Sequence, residues 1–239
     1  MALYVYAITS GAHPHRIDDM NGVGSDPSPL RTVTTGTLCA VVSDISEEIR
    51  PKRRDLMVHK EVQERLMADG VVLPLQFGYV ASDELTIQQA LEQNADTYLT
   101  ALRRLEGCVE YHVRASQEDE DPLLHQILED LPEARALNER IRAGDQDPQV
   151  PLALGELVAR EVQARQESLA AGLIEALVPF ARDHVTRPVS ARDILNLSLL
   201  VPDEKEDDFL KTQARLGAQL GGGVDLRCTG PLPPYSFAQ

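Results

Sequence analysis

The 239-residue chain has no tryptophan, four phenylalanines and six tyrosines, so aromatics make up only 4% of it. Positive charge is scarce as well. Lys and Arg number 23 against 38 Asp and Glu, for a net charge of −15. Nucleic acid and anionic membrane surfaces are both held by clustered Lys and Arg, so the balance argues against either partner. The basic cluster RPKRR (50–54) reads as a solvated charge run ahead of a helix. Cysteine is sparse: Cys39, Cys108 and Cys228 lie far apart, with no CxxC pair. An odd, scattered set does not read as a disulfide framework, and the expectation is reduced, mostly buried thiols in a cytoplasmic protein. No apolar run approaches the ~18 residues of a membrane span. The opening MALYVYAITS lacks the basic start and long apolar centre of a secretion signal.

Recognisable catalytic motifs are missing too. There is no phosphate-binding GxxxxGK[ST] and no GxSxG elbow. NGVGSD (21–26) lacks the third glycine of a dinucleotide fingerprint. His13 and His15, in HPH, have no third or fourth metal ligand nearby in sequence. His59 sits near the apolar stripe of a helical segment and reads as a packing residue, because no nucleophile accompanies it. The acidic runs at 118–121 and 203–208 lack calcium-loop spacing and read as solvated or capping residues. Asn196-Leu-Ser198 matches a glycosylation sequon but falls in a buried-strand pattern. The expectation is a protein that is not an enzyme, with no cofactor and no metal.

What is present is a long alternation of strand and helix patterns. Leu3–Ile8 reads as a strand, and 10–29 as a Gly/Pro/Ser-rich loop. Thr32–Thr35 and Leu38–Ser43 flank Gly36-Thr37 as a hairpin. Residues 55–69 carry Val58, Val62 and Leu66 on one helical face. VVLPLQFGYV (71–80) reads as a buried strand broken by Pro74 and turning at Gly78. One helix then runs to about Leu105, capped by Ser82 and ended by Gly107. After it come a strand at 108–115, helices over about 123–143 and 151–181, a short strand at 184–188 and a buried strand at 194–201. A helix capped by Asp203, with Glu206 in the capping-box position, and a last strand, VDLRCTG, complete the pattern. Strand-helix-strand-strand-helix-strand is the split βαβ order, so the fold class expected is α+β with a ferredoxin-like C-terminal domain. The division expected is 1–106 for a small mixed N-terminal domain and 107–229 for the ferredoxin-like one with a long helical insertion. The tail, 230–239, is expected to pack on the N-terminal domain. Residues 1–105 carry 10 basic and 14 acidic residues, against 13 and 24 in the remainder, which makes the second half the better match for a basic partner.

The tail is the anomaly. GPLPPYSFAQ (230–239) gathers three prolines with Tyr235 and Phe237, where chain ends are normally polar. A Pro-stiffened aromatic end docks either on its own domain or on a partner.

Four stretches in chain order resemble the gas vesicle protein F/L family. LYVYAI at 3–8 is similar to its first strand, and LPLQFGYV at 73–80 to its LP-x-RFG-T-V signature. ILNLSLLVP at 194–202 is similar to its LN-x-x-x-LV strand, and GPLPPYSFAQ to its GPWPPYSF end. Gln76 stands in place of the family's Arg, Tyr79 in place of Thr and Leu232 in place of Trp. The resemblance implies two α+β domains and a cytoplasmic, gas-vesicle-associated accessory or minor structural protein. It implies the hydrophobic major shell protein as partner during vesicle nucleation and assembly, with other accessory proteins as further partners. Leu73, Pro74, Phe77, Pro233, Pro234, Tyr235 and Phe237 are the candidate interface or interdomain residues, and an internal fold-back of the tail is the favoured role. The split βαβ fold also hosts many enzymes, so a small-molecule-binding or catalytic ferredoxin-like protein is the competing reading.

Overall fold

The computed structural model describes residues 1–190 and 192–238. The protein is α+β, with two antiparallel sheets and seven α-helices among the described residues. The chain divides into two compact units. One is Met1–Tyr111 with Leu200–Asp203 and Gly230–Gln239; the other is His112–Leu199 with Glu204–Thr229. Counted by unit, the charges are 10 basic against 17 acidic residues and 13 against 21. The acidity that looked concentrated in the second half of the sequence is therefore shared almost evenly, at −7 and −8.

The first unit is built on β1 (Ala2–Ser10), β2 (Arg31–Thr35), β3 (Leu38–Ile45), β4 (Leu73–Pro74) and β5 (Val80–Ala81). Their order is β2-β3-β1-β4, with β5 also paired to β1. Thr35 opposes Leu38, so Gly36-Thr37 is a two-residue hairpin turn, and Gly36 takes the positive φ (59°) that such turns need. Side chains alternate along β1 between two cores. Leu3 and Val5 join Leu38, Ala40 and Val42 on one face, while Tyr4 and Tyr6 join Val41 and Ile45 on the other. The pairing slips between Val5 and Ala7. Such a bulge inverts the alternation, which is why Ala7 lies on the tyrosine side and Ile8 on the leucine side.

Both faces are covered. On the tyrosine face lie Val62 and Leu66 of α1 (Arg53–Asp69), with Ile17, Met20 and Leu30 of the long loop. On the other lie Ile87 and Leu91 of α2 (Glu84–Gln93) and Leu102 and Leu105 of α3 (Ala95–Leu105). A sheet buried on both sides needs strands apolar throughout, and LYVYAI and LCAVV are such strands.

Three local expectations need correction here. The single helix expected up to Leu105 is two. Asn94 ends α2 by bonding Ala90 O through both its side-chain amide (2.9 Å) and its backbone N–H (3.2 Å). The cap is Asp83 rather than Ser82, because a cap reaches the N–H three residues on. Asp83 Oδ1 accepts from Thr86 N–H at 2.8 Å, while Ser82 bonds the Thr86 hydroxyl. The buried strand expected over 71–80 breaks after Pro74 and turns at Gly78 as expected, but Gln76, Gly78, Tyr79 and Val80 are exposed rather than buried, and it is only the two short pairs β4 and β5. Between them, Leu75 N–H donates to Tyr6 O (2.9 Å) and Tyr79 O accepts from Val5 N–H (3.0 Å). Pro74 has no N–H to give a regular ladder, and the chain turns away from the sheet between those two bonds.

The second sheet comprises β6 (Cys108–Gln117), β7 (Asp183–Thr186), β8 (Asp193–Pro202) and β9 (Val224–Leu232), in the order β7-β8-β6-β9. Leu195, Leu197 and Leu199 recur every second residue along β8 and are all buried. The helices are α4 (Asp121–Asp130), α5 (Pro132–Arg142), α6 (Gln149–Leu177) and α7 (Asp203–Gln219). The one helix expected over 123–143 is broken at Leu131. Pro132 forces its predecessor extended (φ −108°, ψ 105°), and α5 starts afresh with that proline in its first turn. α7 begins at Asp203, directly after β8 ends at Pro202.

Candidate functional site

In the first unit the tail forms a single 3-10 turn, Tyr235–Phe237, after the buried pair Pro233-Pro234. Phe237 is 3% exposed and belongs to the core of Leu3, Val5, Leu102 and Leu105. Burying a phenylalanine ring contributes on the order of 2–3 kcal/mol relative to leaving it in water. Ser236 bonds Glu110 twice: its N–H donates to Oε2 at 2.9 Å and its hydroxyl donates to Oε1. Glu110 is itself buried on β6. A carboxylate taking two donors from adjacent groups fixes the turn in one register.

Tyr235 completes the arrangement through His59, which is 4% exposed on α1. Tyr235 Oη lies 3.0 Å from His59 Nε2, and Tyr4 Oη lies 3.0 Å from His59 Nδ1. A neutral imidazole carries one donor and one acceptor, so it donates to one phenol oxygen and accepts from the other phenol. The Tyr4 hydroxyl also accepts the N–H of Gly78 at 3.0 Å. The rings of Tyr6 and Tyr235 stack on His59 at 5.7 and 6.5 Å, with Phe77 edge-on at 5.6 Å. Burial pushes the imidazole down to about 4, with the Leu75 backbone partly opposing the shift. Burial likewise pushes the Tyr235 phenol up to about 12. The Tyr4 phenol is raised mainly by burial. Every one of these groups is thus held in its neutral form. The cluster is a packed, hydrogen-bonded bridge from α1 through the sheet to the tail.

Leu73 and Pro74 are buried in β4, and Phe77 is half-buried against Tyr4 and His59. The structure therefore brings Phe77 and Tyr235 to the same histidine. Tyr4, His59, Glu110 and Ser236 were not picked out as a set by sequence. They are 4, 59, 110 and 236 along the chain, and the packing of α1 on the tyrosine face of β1, with the tail between His59 and Glu110, places them together.

The other sequence features resolve into fasteners. His13 Nε2–H donates to Leu66 O (3.0 Å), and His13 Nδ1 accepts from His15 N–H (3.1 Å), so both nitrogens of that ring are used. In NGVGSD, Val23 N–H donates to the Tyr6 hydroxyl (2.8 Å), and Gly24 N–H to Asp55 Oδ1 (3.0 Å). Gly22 leaves no room for a Cβ, because Ser43 and the Tyr6 hydroxyl stand where it would go. Arg54 of the basic cluster contacts Asp55 and Gly24 O. A cleft of about 270 Å³ is lined by Met67, Val71, Leu105, Cys108 and Asp203. Among the described residues, no three His, Cys, Asp or Glu side chains are placed to hold a metal. No helix among them is long and apolar enough to cross a membrane.

Comparison with known proteins gives a consistent result. The family model "Gas vesicle synthesis protein GvpL/GvpF" matches residues 2–239. Gas vesicle protein F of Streptomyces sp. (strain CB03234) is 42% identical over 240 residues, covering 100% of both chains. Gas vesicle protein L of the same strain is 28% identical, covering 98% of this chain and 92% of its own. The crystal structure of GvpF from Anabaena sp. PCC7120 superposes with a TM-score of 0.81 at 22% identity, covering 100% of this chain and 98% of its own. That from Microcystis aeruginosa gives 0.78 at 23% identity, covering 100% and 99%. The fold is shared across that sequence distance, and the chain belongs to the gas vesicle synthesis protein GvpL/GvpF family.

Proposed function

We propose that this chain is a gas vesicle accessory or minor structural protein that binds the hydrophobic major shell protein and assists vesicle nucleation and assembly. The observation that carries the reading is the match to a gas vesicle synthesis family across residues 2–239. Physical character supports it. A shell protein with a water-excluding face aggregates before assembly, and a companion of net charge −15 keeps a complex in solution. The role needs neither a catalytic residue nor a cofactor, and places the protein in the cytoplasm with the vesicle. The strand order β7-β8-β6-β9, with helices after β6 and β8, supports a ferredoxin-like reading of the second sheet. Within this function the tail acts as an internal lock. Pro233, Pro234, Tyr235 and Phe237 hold the first unit together, and Leu73, Pro74 and Phe77 lie in the segment that meets it. Support for this comes from the burial of Phe237 and the Tyr235–His59 bond.

The test is co-expression of the tagged full chain with the major shell protein. The expected result is co-purification of shell protein that is insoluble when expressed alone. Shell protein that stays insoluble, with none on the tagged chain, overturns the reading.

A further inference from the structure

The tail aromatics are buried, yet Tyr79 is 54% exposed, and Val80 and Leu85 are 46% and 61% exposed. Tyr79 is not a loose side chain on a loose loop. Its carbonyl is held by Val5 N–H, and the preceding Gly78 N–H is held by the Tyr4 hydroxyl, both at 3.0 Å. Tyr79 and Tyr98 line an apolar slot of about 50 Å³ whose other walls include Val5, Ile8, Ile87 and Leu91. A water needs roughly 10–15 Å³ of such volume, so the slot accepts one aliphatic side chain and is too small for a drug-sized ligand. Leu85 stands beside Thr86, which also lines it.

The chain that forms the slot is mostly acidic, with Arg103 and Arg104 at the far end of α3. From Leu66 to Leu102 the chain contains Asp69, Asp83, Glu84, Glu92 and Asp96 and no Lys or Arg. Asp83, Glu92 and Asp96 are exposed. Arg31, which reaches this region from β2, already lies between Glu84 (2.9 Å) and Asp44 (3.4 Å). Strand addition does not suit the place. β4 and β5 are two residues each, and the Leu75 and Tyr79 backbone between them is already bonded to β1, so no continuous ladder is open.

We infer that the slot between Tyr79 and Tyr98 docks one amphipathic helix, an aliphatic side chain entering the slot and flanking Lys or Arg residues meeting Asp83, Glu92 and Asp96. The chemistry of the occupant follows from the slot and its rim. Only the owner of the helix, the shell protein, rests on the proposed function. The fixed backbone at Gly78 and Tyr79 makes the site preorganised, so binding orders little.

The chain has no tryptophan, so a Trp-tagged peptide reports its own binding by fluorescence. The probes are an 18-residue Leu/Lys amphipathic peptide and its Leu/Glu twin, titrated against the full chain. The Leu/Lys peptide is expected to bind and the Leu/Glu twin not. The double variant Tyr79→Ser, Leu85→Ser is expected to weaken binding about 10-fold or more, the scale of a lost anchor. Asp83→Asn with Asp96→Asn is expected to flatten the salt dependence. Asp207→Asn with Asp208→Asn, in the other unit, is expected to change neither. Equal binding by the Tyr79/Leu85 variant with unchanged thermal unfolding overturns the site, as does equal binding of the twin. Shell protein captured equally by wild type and this variant overturns the site but leaves the proposed function standing. No capture by wild type, with peptide binding intact, does the reverse.

Discussion

Tyr235 and Tyr79 each lie in a short irregular stretch next to a backbone-shaping residue, Pro234 and Gly78, and they end in opposite environments. Tyr235 is followed by Ser236 and Phe237, which find a buried carboxylate and a core cavity; with them its hydroxyl reaches a buried histidine. Tyr79 is followed by Val80 and a polar turn, and its ring remains largely in water. The difference teaches that an aromatic in a turn is assigned by its partners. One with complementary groups on its own chain becomes a lock, and one beside an apolar slot keeps its ring largely in water.

The comparison is broken most severely by Phe237→Ala. It is expected to destabilise the chain by about 3–5 kcal/mol, the cost of emptying a buried aromatic position. Urea denaturation followed by circular dichroism measures it; a loss under ~1 kcal/mol contradicts the lock. Next is Glu110→Ala, which removes the carboxylate that accepts from the Ser236 N–H and hydroxyl. The expected cost is about 1.5–3 kcal/mol, the range for a bond to a charged group. Ser236→Ala removes only one of the two bonds and is expected to cost less than Glu110→Ala.

Acid sharpens the same contrast. The His59 imidazole is held below its ordinary value in the folded chain, at about 4 against 6.5. Between those values the unfolded chain binds more protons, so the contribution is complete above pH 6.5 and is lost as pH falls towards 4. Asp55, one turn away, does not rescue a charged ring freely, because it is engaged by Gly24 N–H and Arg54. His13 and His15 are shifted the same way, mainly by burial, and add to the slope. Urea midpoints measured from pH 7 to pH 4 are expected to fall, and His59→Gln is expected to flatten part of that slope. The smallest effect is expected from Tyr79→Ser. As a largely exposed position it should shift stability by no more than about 0.5 kcal/mol, whatever it does to binding.

Much of the architecture was legible because it depends on local periodicity. The strands at Leu3–Ile8 and 194–201, the hairpin at Gly36-Thr37 and the α1 face of Val62 and Leu66 follow from alternation and helical spacing alone. The helix breaks at Asn94 and Leu131 were missed for local reasons that were present in the sequence. One is a side chain that competes for the helix's own carbonyl, and the other a proline that restrains its predecessor. The His59 bridge had no comparable signal. Its members are separated by tens to hundreds of residues, and nothing in a run of Tyr, His, Glu or Ser announces a shared contact.

The sequence by itself determined family membership, the apolar strands, the overall acidity and the aromatic content of the tail, because these reside in residue identity and spacing. Only the tertiary structure decided which aromatics lie inside. The bulge in β1 inverts side-chain parity between Val5 and Ala7, so that Ala7 joins Tyr4 and Tyr6 on the face that α1 covers. Whether a tyrosine meets a neutral histidine or open water is a matter of three-dimensional register, and a one-residue slip along a strand is enough to exchange the two.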